Sequence, residues 1–304
     1  MSARIGKSDI GKTMDRGPRE FKSRVVEKEG NVMVVAQKDV VTTHPMNSIR
    51  NVAGLMEKHD FRRIPVTDAG TNRLEGMAVA IDIIDFLGGG EKYNIIEKDY
   101  GGNFLSAINC PIAKIMKEEY PFLDKRSSVD DVIDIMINYR SSAIPIVENE
   151  DTKRVIGIVT ERDILPIADR FGITVEESMQ EKCITSSPGM MISDVSKIMV
   201  RNRIRRLPVI IDDEIVGIVT VFDILRFLEF GRFEGIDAEE ILTNTKVEDI
   251  MEKDVTTVRS EQDLAEIPKL VENTNLGGFP VVRNNNIVGI VTISDVIREI
   301  YRKG

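Results

Sequence analysis

Four aspartates stand at one fixed place in a repeating frame, each six residues after a glycine: Gly76/Asp82, Gly157/Asp163, Gly217/Asp223 and Gly289/Asp295. In three copies a threonine precedes the acid by three residues, giving Thr160/Asp163, Thr220/Asp223 and Thr292/Asp295, whereas the first copy has Val79 there. Two chemistries suit this spacing. Threonine followed three residues later by an acid is a capping box at a helix start. A carboxylate beside a helix start can also accept hydrogen bonds from a ribose diol, and the free amides with a threonine hydroxyl favour phosphate. Capping boxes prefer Glu or Gln at the third position, yet all four copies hold Asp, and Asp82 persists beside a valine that caps poorly. An aspartate retained without its capping partner has another job to do.

A second set of charges alternates between copies. Arg62-Arg63 and Arg205-Arg206 occur in the odd copies, at the place where the even copies have Ser142-Ala143 and Gly277-Gly278. An arginine after a helix can simply complement the helix dipole. A pair of guanidiniums can also fork onto phosphate oxygens. The alternation itself points to duplication of an unequal pair of units rather than of one unit.

The elements that must position these residues repeat as well. Pro65, Pro145, Pro208 and Pro280 mark one strand in each copy, and Ile49, Val129, Ile192 and Leu264 each lie 16 residues before their proline. From Ile49 the apolar positions run Val52, Leu55, Met56, the stripe of an amphipathic helix. A short apolar segment leads each unit 17 residues before that helix, at residues 32–36, 112–116, 175–179 and 247–251. Length varies only between proline and glycine (11, 12, 9 and 9 residues), where polar strings read as hairpin turns. Each unit therefore reads strand, helix, strand, turn, strand, helix, with residues 88–102, 169–174 and 231–246 as polar or glycine-rich linkers. A unit of about 55–60 residues is marginal as an independent core, so the units should pair.

A proline-led strand, a hairpin, and then Gly-h-h-Thr-x-x-Asp opening a helix resembles the CBS domain. Four copies in fixed register cover the chain from about Val32 onward. The resemblance implies a mixed α/β (α+β) fold of four βαββα repeats, paired into two Bateman modules that form a flat disc. The units expected are residues 31–90, 111–168, 174–232 and 246–304, preceded by a basic arm at 1–30. Chains with four such domains resemble the γ subunit of AMP-activated protein kinase, which binds AMP, ADP or ATP in clefts between paired domains and is not catalytic. Carried onto this sequence, the resemblance gives Asp82, Asp163, Asp223 and Asp295 the ribose, and gives Thr160, Thr220, Thr292 and the paired Arg62, Arg63, Arg205 and Arg206 the phosphates. The residue just before each aspartate also lines the family's site. Here it is Ile81, Arg162, Phe222 and Ser294, so the fourth repeat is the most complete, the second gains Arg162, and the first is the weakest. S-adenosylmethionine or another adenosyl ligand is the alternative, since ribose recognition would look the same. The paired arginines favour phosphate over a sulfonium.

Other functions find little support. Across 304 residues, 41 Lys and Arg against 50 Asp and Glu give a net charge of −9, the wrong overall balance for a dedicated nucleic-acid binder. Residues 1–29 are locally basic, with eight Lys or Arg and five acids, and read as a flexible or latching arm, with nucleic-acid contact as a lesser alternative. Gly6, Gly11, Lys12 and Thr13 match a P-loop pattern, but the strand before it and the long helix after it are missing. Two cysteines and two histidines cannot build a disulfide framework or a usual metal site. No nucleophile–base pair appears. No apolar run approaches a membrane span, and the first residues lack a secretory signal, so the expected compartment is the cytoplasm. The expected protein needs no cofactor, binds a nucleotide, regulates a protein partner and can form a homodimer.

Overall fold

The computed structural model describes residues 32–230 and 244–302. The basic arm, the P-loop-like string within it and residues 231–243 of the last linker lie outside them. The first repeat runs α1 (Ile49–His59), β1 (Arg63–Thr67), β2 (Leu74–Val79) and α2 (Ala80–Ile84), followed by α3 (Asn94–Tyr100) and α4 (Phe104–Ile108). The second has β3 (Leu123–Asp124), α5 (Val129–Tyr139), β4 (Ala143–Val147) and β5 (Val155–Thr160). The third has α6 (Val175–Ser178), α7 (Ile192–Asn202), β6 (Arg206–Ile211), β7 (Glu214–Thr220) and α8 (Val221–Phe230). The fourth has β8 (Val258–Arg259), α9 (Glu266–Thr274), β9 (Gly278–Arg283), β10 (Asn286–Thr292) and α10 (Ile293–Arg302).

The apolar stripes fall where the spacing places them: Ile49, Val52 and Met56 are buried on α1, and Ile192, Val195 and Met199 on α7. Asp60, Arg140, Arg203 and Asn275 close the four first helices at positive φ, between 51° and 61°. Each stands five residues before its proline, so one left-handed residue turns every chain from helix into strand. The turns DD and NN become two-residue hairpins, with Asp212-Asp213 and Asn284-Asn285 all at positive φ, the backbone of a type I′ turn.

The structure departs from the expected unit in four places. The second repeat has no second helix: residues 161–164 form a turn. Pro166 would lack an N–H for the helix ladder and disfavours helical backbone at Leu165, so no helix can run on from Asp163. The linker at 88–102 is largely helical, and α3 within it and α4 just after it bury Ile96, Phe104 and Ala107. The leading strand shrinks to two residues in β3 and β8, and to single bridges Thr43–Val66 and Ser186–Val209 in the odd repeats. Helix α9 starts two residues later than the repeat register implies, which puts Pro268 in its first turn, where a missing N–H costs no ladder bond.

Two different kinds of contact join the repeats. Along the sheets, β7 pairs with β10 to give a five-stranded sheet across repeats three and four, and Arg73 bridges Arg154 between repeats one and two. The segment leading each repeat crosses to its neighbour. Lys117 pairs with Met77, Gln37 with Ile158, Glu252 with Ile218 and Gln180 with Ile290, each through two N–H···O bonds of 2.8–3.1 Å. The recurring glycine lies under this crossing. A Cβ on Gly76 would stand 2.5 Å from Lys117 O, and one on Gly289 would stand 2.7 Å from Met179 Sδ and 2.8 Å from Gln180 O.

The apolar cores run the other way. One joins repeats one and three, with Met56, Ile83, Val195 and Ile224 among its members, and the other joins two and four, with Val132, Ile144, Val271 and Val296. Sheet edges and crossings thus link one to two and three to four, while helix packing links one to three and two to four. The four repeats close on one another around a common centre. Among the described residues no helix is long and apolar enough to cross a membrane.

Candidate functional site

That centre is where the alternating charges meet. The left-handed turns after α1 and α7 hand the chain to β1 and β6, whose first residues are Arg63 and Arg206, each with another arginine just before it. The equivalent residues of the even repeats, Ser142 and Gly277-Gly278, leave room for them. Ser142 Oγ accepts hydrogen bonds from Arg63 and, at 3.2 Å, from Arg205. Arg206 donates to Gly278 O at 2.5 Å, and a Cβ on Gly277 would come within 3.4 Å of both Arg62 and Arg206. Arg162 joins them by donating to the side chain and backbone of Asn275, whose own amide reaches Asp60 at 2.7 Å.

Among the described residues none of the four paired arginines forms an ion pair with a carboxylate. Burial and mutual repulsion push Arg205 and Arg206 down to about 9, and burial pulls Arg62 down as well. Arg63 Nε is buried without a hydrogen-bond partner. All four arginines are only partly buried and keep some contact with solvent. Four cations held this way cost stability unless an anion joins them. The dipole explanation fails on position, since Arg63 and Arg206 are the first residues of strands and each follows a left-handed cap. A shallow surface depression beside Asn47, Arg50, Leu55 and Lys58 lies on the outer face of α1 and gathers no residue from the other repeats.

The aspartates have other partners. Asp163, Asp223 and Asp295 each accept from the backbone N–H and the hydroxyl of their threonine, at 2.6–2.9 Å, through one carboxylate oxygen. The capping geometry therefore accounts for half of each carboxylate. The crossing segments supply partners for the rest. Gln37 donates to Asp163 at 2.9 Å and Gln180 to Asp295 at 3.1 Å, with Arg298 also on Asp295 at 3.0 Å. Asp82, beside uncapped Val79, is instead held by Lys92 at 2.8 Å, with Lys117 3.9 Å away. Lys92 is itself fixed by a second bond to Ile115 O at 2.8 Å. Around Asp223 the crossing residue is Glu252. Burial first, and this second carboxylate in addition, raise Asp223 above the usual carboxylate range, against the opposing pull of Thr220 and Arg226.

Sequence reasoning missed Lys92 and the crossing residues. The signal was present: each crossing residue directly follows a repeated lead segment, after Ala36, Met116, Met179 and Met251. What one chain position could not tell is that the lead of one repeat serves its neighbour's aspartate. Ser294, expected to meet ligand, donates to Glu161, a residue that the repeat register did not single out. Among the described residues no cluster of three or more His, Cys, Asp or Glu is arranged to hold a metal.

Comparison with known proteins fits this arrangement. The CBS-domain profile matches residues 30–89, 112–168, 175–229 and 247–302. Protein MJ1225 of Methanocaldococcus jannaschii is 35% identical over 276 residues, covering 88% of this chain and 98% of that protein. Its crystal structure, described as that of a proposed archaeal homologue of γ-AMPK, superposes with a TM-score of 0.83 at 34% identity, over 89% of this chain and 99% of that one. A 33.4 kDa protein encoded in the ribosomal RNA operon of Thermofilum pendens is 28% identical over 261 residues, covering 84% of this chain and 85% of that protein. A Pyrococcus horikoshii structure at 17% identity, with a TM-score of 0.56 over 88% of this chain and 99% of that one, shares the fold. With four matched copies, exchanged lead segments and a common centre, the chain belongs to the CBS-domain family.

Proposed function

We propose that this chain is a cytoplasmic, non-catalytic regulatory protein that binds adenine nucleotides (AMP, ADP or ATP), with phosphates on the central arginines and ribose on the Thr-x-x-Asp aspartates. The observation that carries the reading is the convergence of Arg62, Arg63, Arg205 and Arg206 from two separate repeats on one space with no paired carboxylate among the described residues. Such a site gains most from a ligand that brings several negative oxygens in a compact group, because guanidinium forks bind phosphate bidentately. The resemblance to four-repeat nucleotide-binding chains supplies the adenosine half, and Asp163, faced by the Gln37 amide, can exchange that bond for a diol at little cost. Asp82, with Lys92 on one oxygen and no threonine beside it, belongs to the least complete of the four sites.

Because the cluster touches all four repeats, a ligand there can shift their packing and so alter affinity for a regulated protein. Such coupling requires a difference in binding free energy between two packings. A thermal-shift series with AMP, ADP, ATP, S-adenosylmethionine and short DNA tests the reading. A ligand at 100 times its Kd adds about 2.7 kcal/mol of stability, so at least one adenine nucleotide is expected to raise the melting temperature clearly. If none does, the proposal fails. A response to S-adenosylmethionine alone would move the ligand class to adenosyl sulfonium compounds. A response to DNA alone, lost steeply with salt, would assign nucleic acid instead.

A further inference from the structure

Glu161 stands among the central arginines at a position where the other repeats carry Ala80, Val221 and Ile293. It belongs to the turn that replaces the missing helix of the second repeat, which closes with Asp163 N–H on Thr160 O at 3.0 Å. Its own N–H donates to Ser142 O at 3.2 Å, and Ser142 Oγ is the acceptor shared by Arg63 and Arg205. On the other side its carboxylate accepts from Ser294 Oγ of the fourth repeat. Its charge acts on Arg62, Arg205 and Arg206 in the sense opposite to burial. It nevertheless forms no ion pair with any of the four paired arginines. A carboxylate that takes a serine hydroxyl, adjoins the serine that accepts from Arg63 and Arg205, and pairs with none of the four arginines supplies part of the negative charge that a bound phosphate would bring.

We infer that Glu161 is a tethered counter-anion of the arginine cluster, which an incoming phosphate must displace from Ser294. This rests on the reading of the cluster as a phosphate site. Three consequences follow from one negative charge in that place. It lowers the repulsion among the arginines before ligand arrives. It opposes every anionic ligand, and it opposes a triphosphate more than a monophosphate. Glu161 thereby sets both the threshold for binding and the discrimination between AMP and ATP.

The experiment compares wild type with Glu161→Gln, which keeps the size and the acceptor for Ser294 but removes the charge. Titration calorimetry with AMP, ADP and ATP is paired with melting curves in inorganic pyrophosphate. The variant is expected to bind ATP more tightly, on the order of tenfold for one charge at a half-buried site, and AMP by a smaller factor. Its melting temperature without anion is expected to fall, and pyrophosphate is expected to restore more stability to it than to wild type. Unchanged or weakened affinity for all three nucleotides overturns the inference. If wild type binds no nucleotide, the functional reading fails, and the pyrophosphate melts still decide the role of Glu161: an equal response in both proteins sinks it. Should Glu161→Gln not fold, Glu161→Asp, which keeps the charge but shortens the reach to Ser294, is expected to bind ATP more tightly than wild type, and failure to do so overturns the inference.

Discussion

Asp82 and Asp295 occupy the same place in their repeats, six residues after a glycine, yet their carboxylates have different partners. Asp295 is almost fully buried, capped by Thr292, and faced by the amide of Gln180 and the guanidinium of Arg298. Asp82 has no threonine and is held by Lys92 from a segment found only after the first repeat. Both carboxylates thus take one charged donor, and what sets Asp295 apart is the Thr292 hydroxyl beside it at the helix start, which favours phosphate and which Val79 cannot supply. Calorimetric titration is expected to show that Asp295→Ala weakens nucleotide binding by about tenfold or more, the loss of a hydrogen bond to a charged group. Asp82→Ala should cost much less. Equal losses would contradict this order. The missing capping partner of Asp82 was legible from Val79 alone, but its bond to Lys92 was not, because nothing in the repeat register connects the two.

At the scale of elements, the glycine that opens each Gly-to-Asp step is explained by the chain crossing over it. In three repeats the crossing backbone or a methionine sulfur leaves less than 3.0 Å for a Cβ, whereas at Gly157 the nearest atom is the Ala36 Cβ at 3.2 Å. Gly76→Ala, which would meet Lys117 O, is therefore expected to destabilise the protein by about 1–3 kcal/mol, as overpacking does. Gly157→Ala, which faces an alanine methyl that can yield, should cost less. Denaturant melts of the two variants check the order, and a larger loss at Gly157 would refute the role assigned to the crossing. The helices, proline strands and two-residue hairpins could be read from periodicity and turn residues. Pro166 and Pro268 also announced their effects locally: one abolishes a helix and the other delays a helix start. The exchange of lead segments left only the fixed glycine as its trace, since a missing side chain does not name what it makes room for.

At the scale of the whole molecule, the arginines meet because the sheets pair the repeats in one direction and the cores pair them in the other. Odd repeats bring the charge and even repeats bring serine and glycine, so the alternation in sequence becomes one site in space. Arg205 is pushed down to about 9 and still carries its charge at neutral pH, which makes it a standing source of repulsion. Arg205→Gln is expected to raise the melting temperature without ligand, at about 2–4 °C per kcal/mol relieved in a protein of this size. The same change should weaken nucleotide binding by about tenfold, since it removes one guanidinium fork. A stability gain bought with lost function is the usual pattern at such sites. A lower melting temperature with unchanged binding would show that Arg205 is a packing residue.

The sequence by itself determined the four-part repeat, the amphipathic helices, the caps, and the two kinds of charged position. These are local or periodic properties, set by side-chain spacing and backbone preference over a few turns. Only the tertiary structure decided that each lead segment serves its neighbour, that the cores join repeats one with three and two with four, and that Glu161 lies among the arginines. Those outcomes depend on contacts between residues up to about two hundred positions apart, such as Asn275 with Asp60 and Ser294 with Glu161. No local preference encodes such a contact. The net charge of −9 likewise describes the whole chain, whereas burial and packing concentrated the cations at its centre.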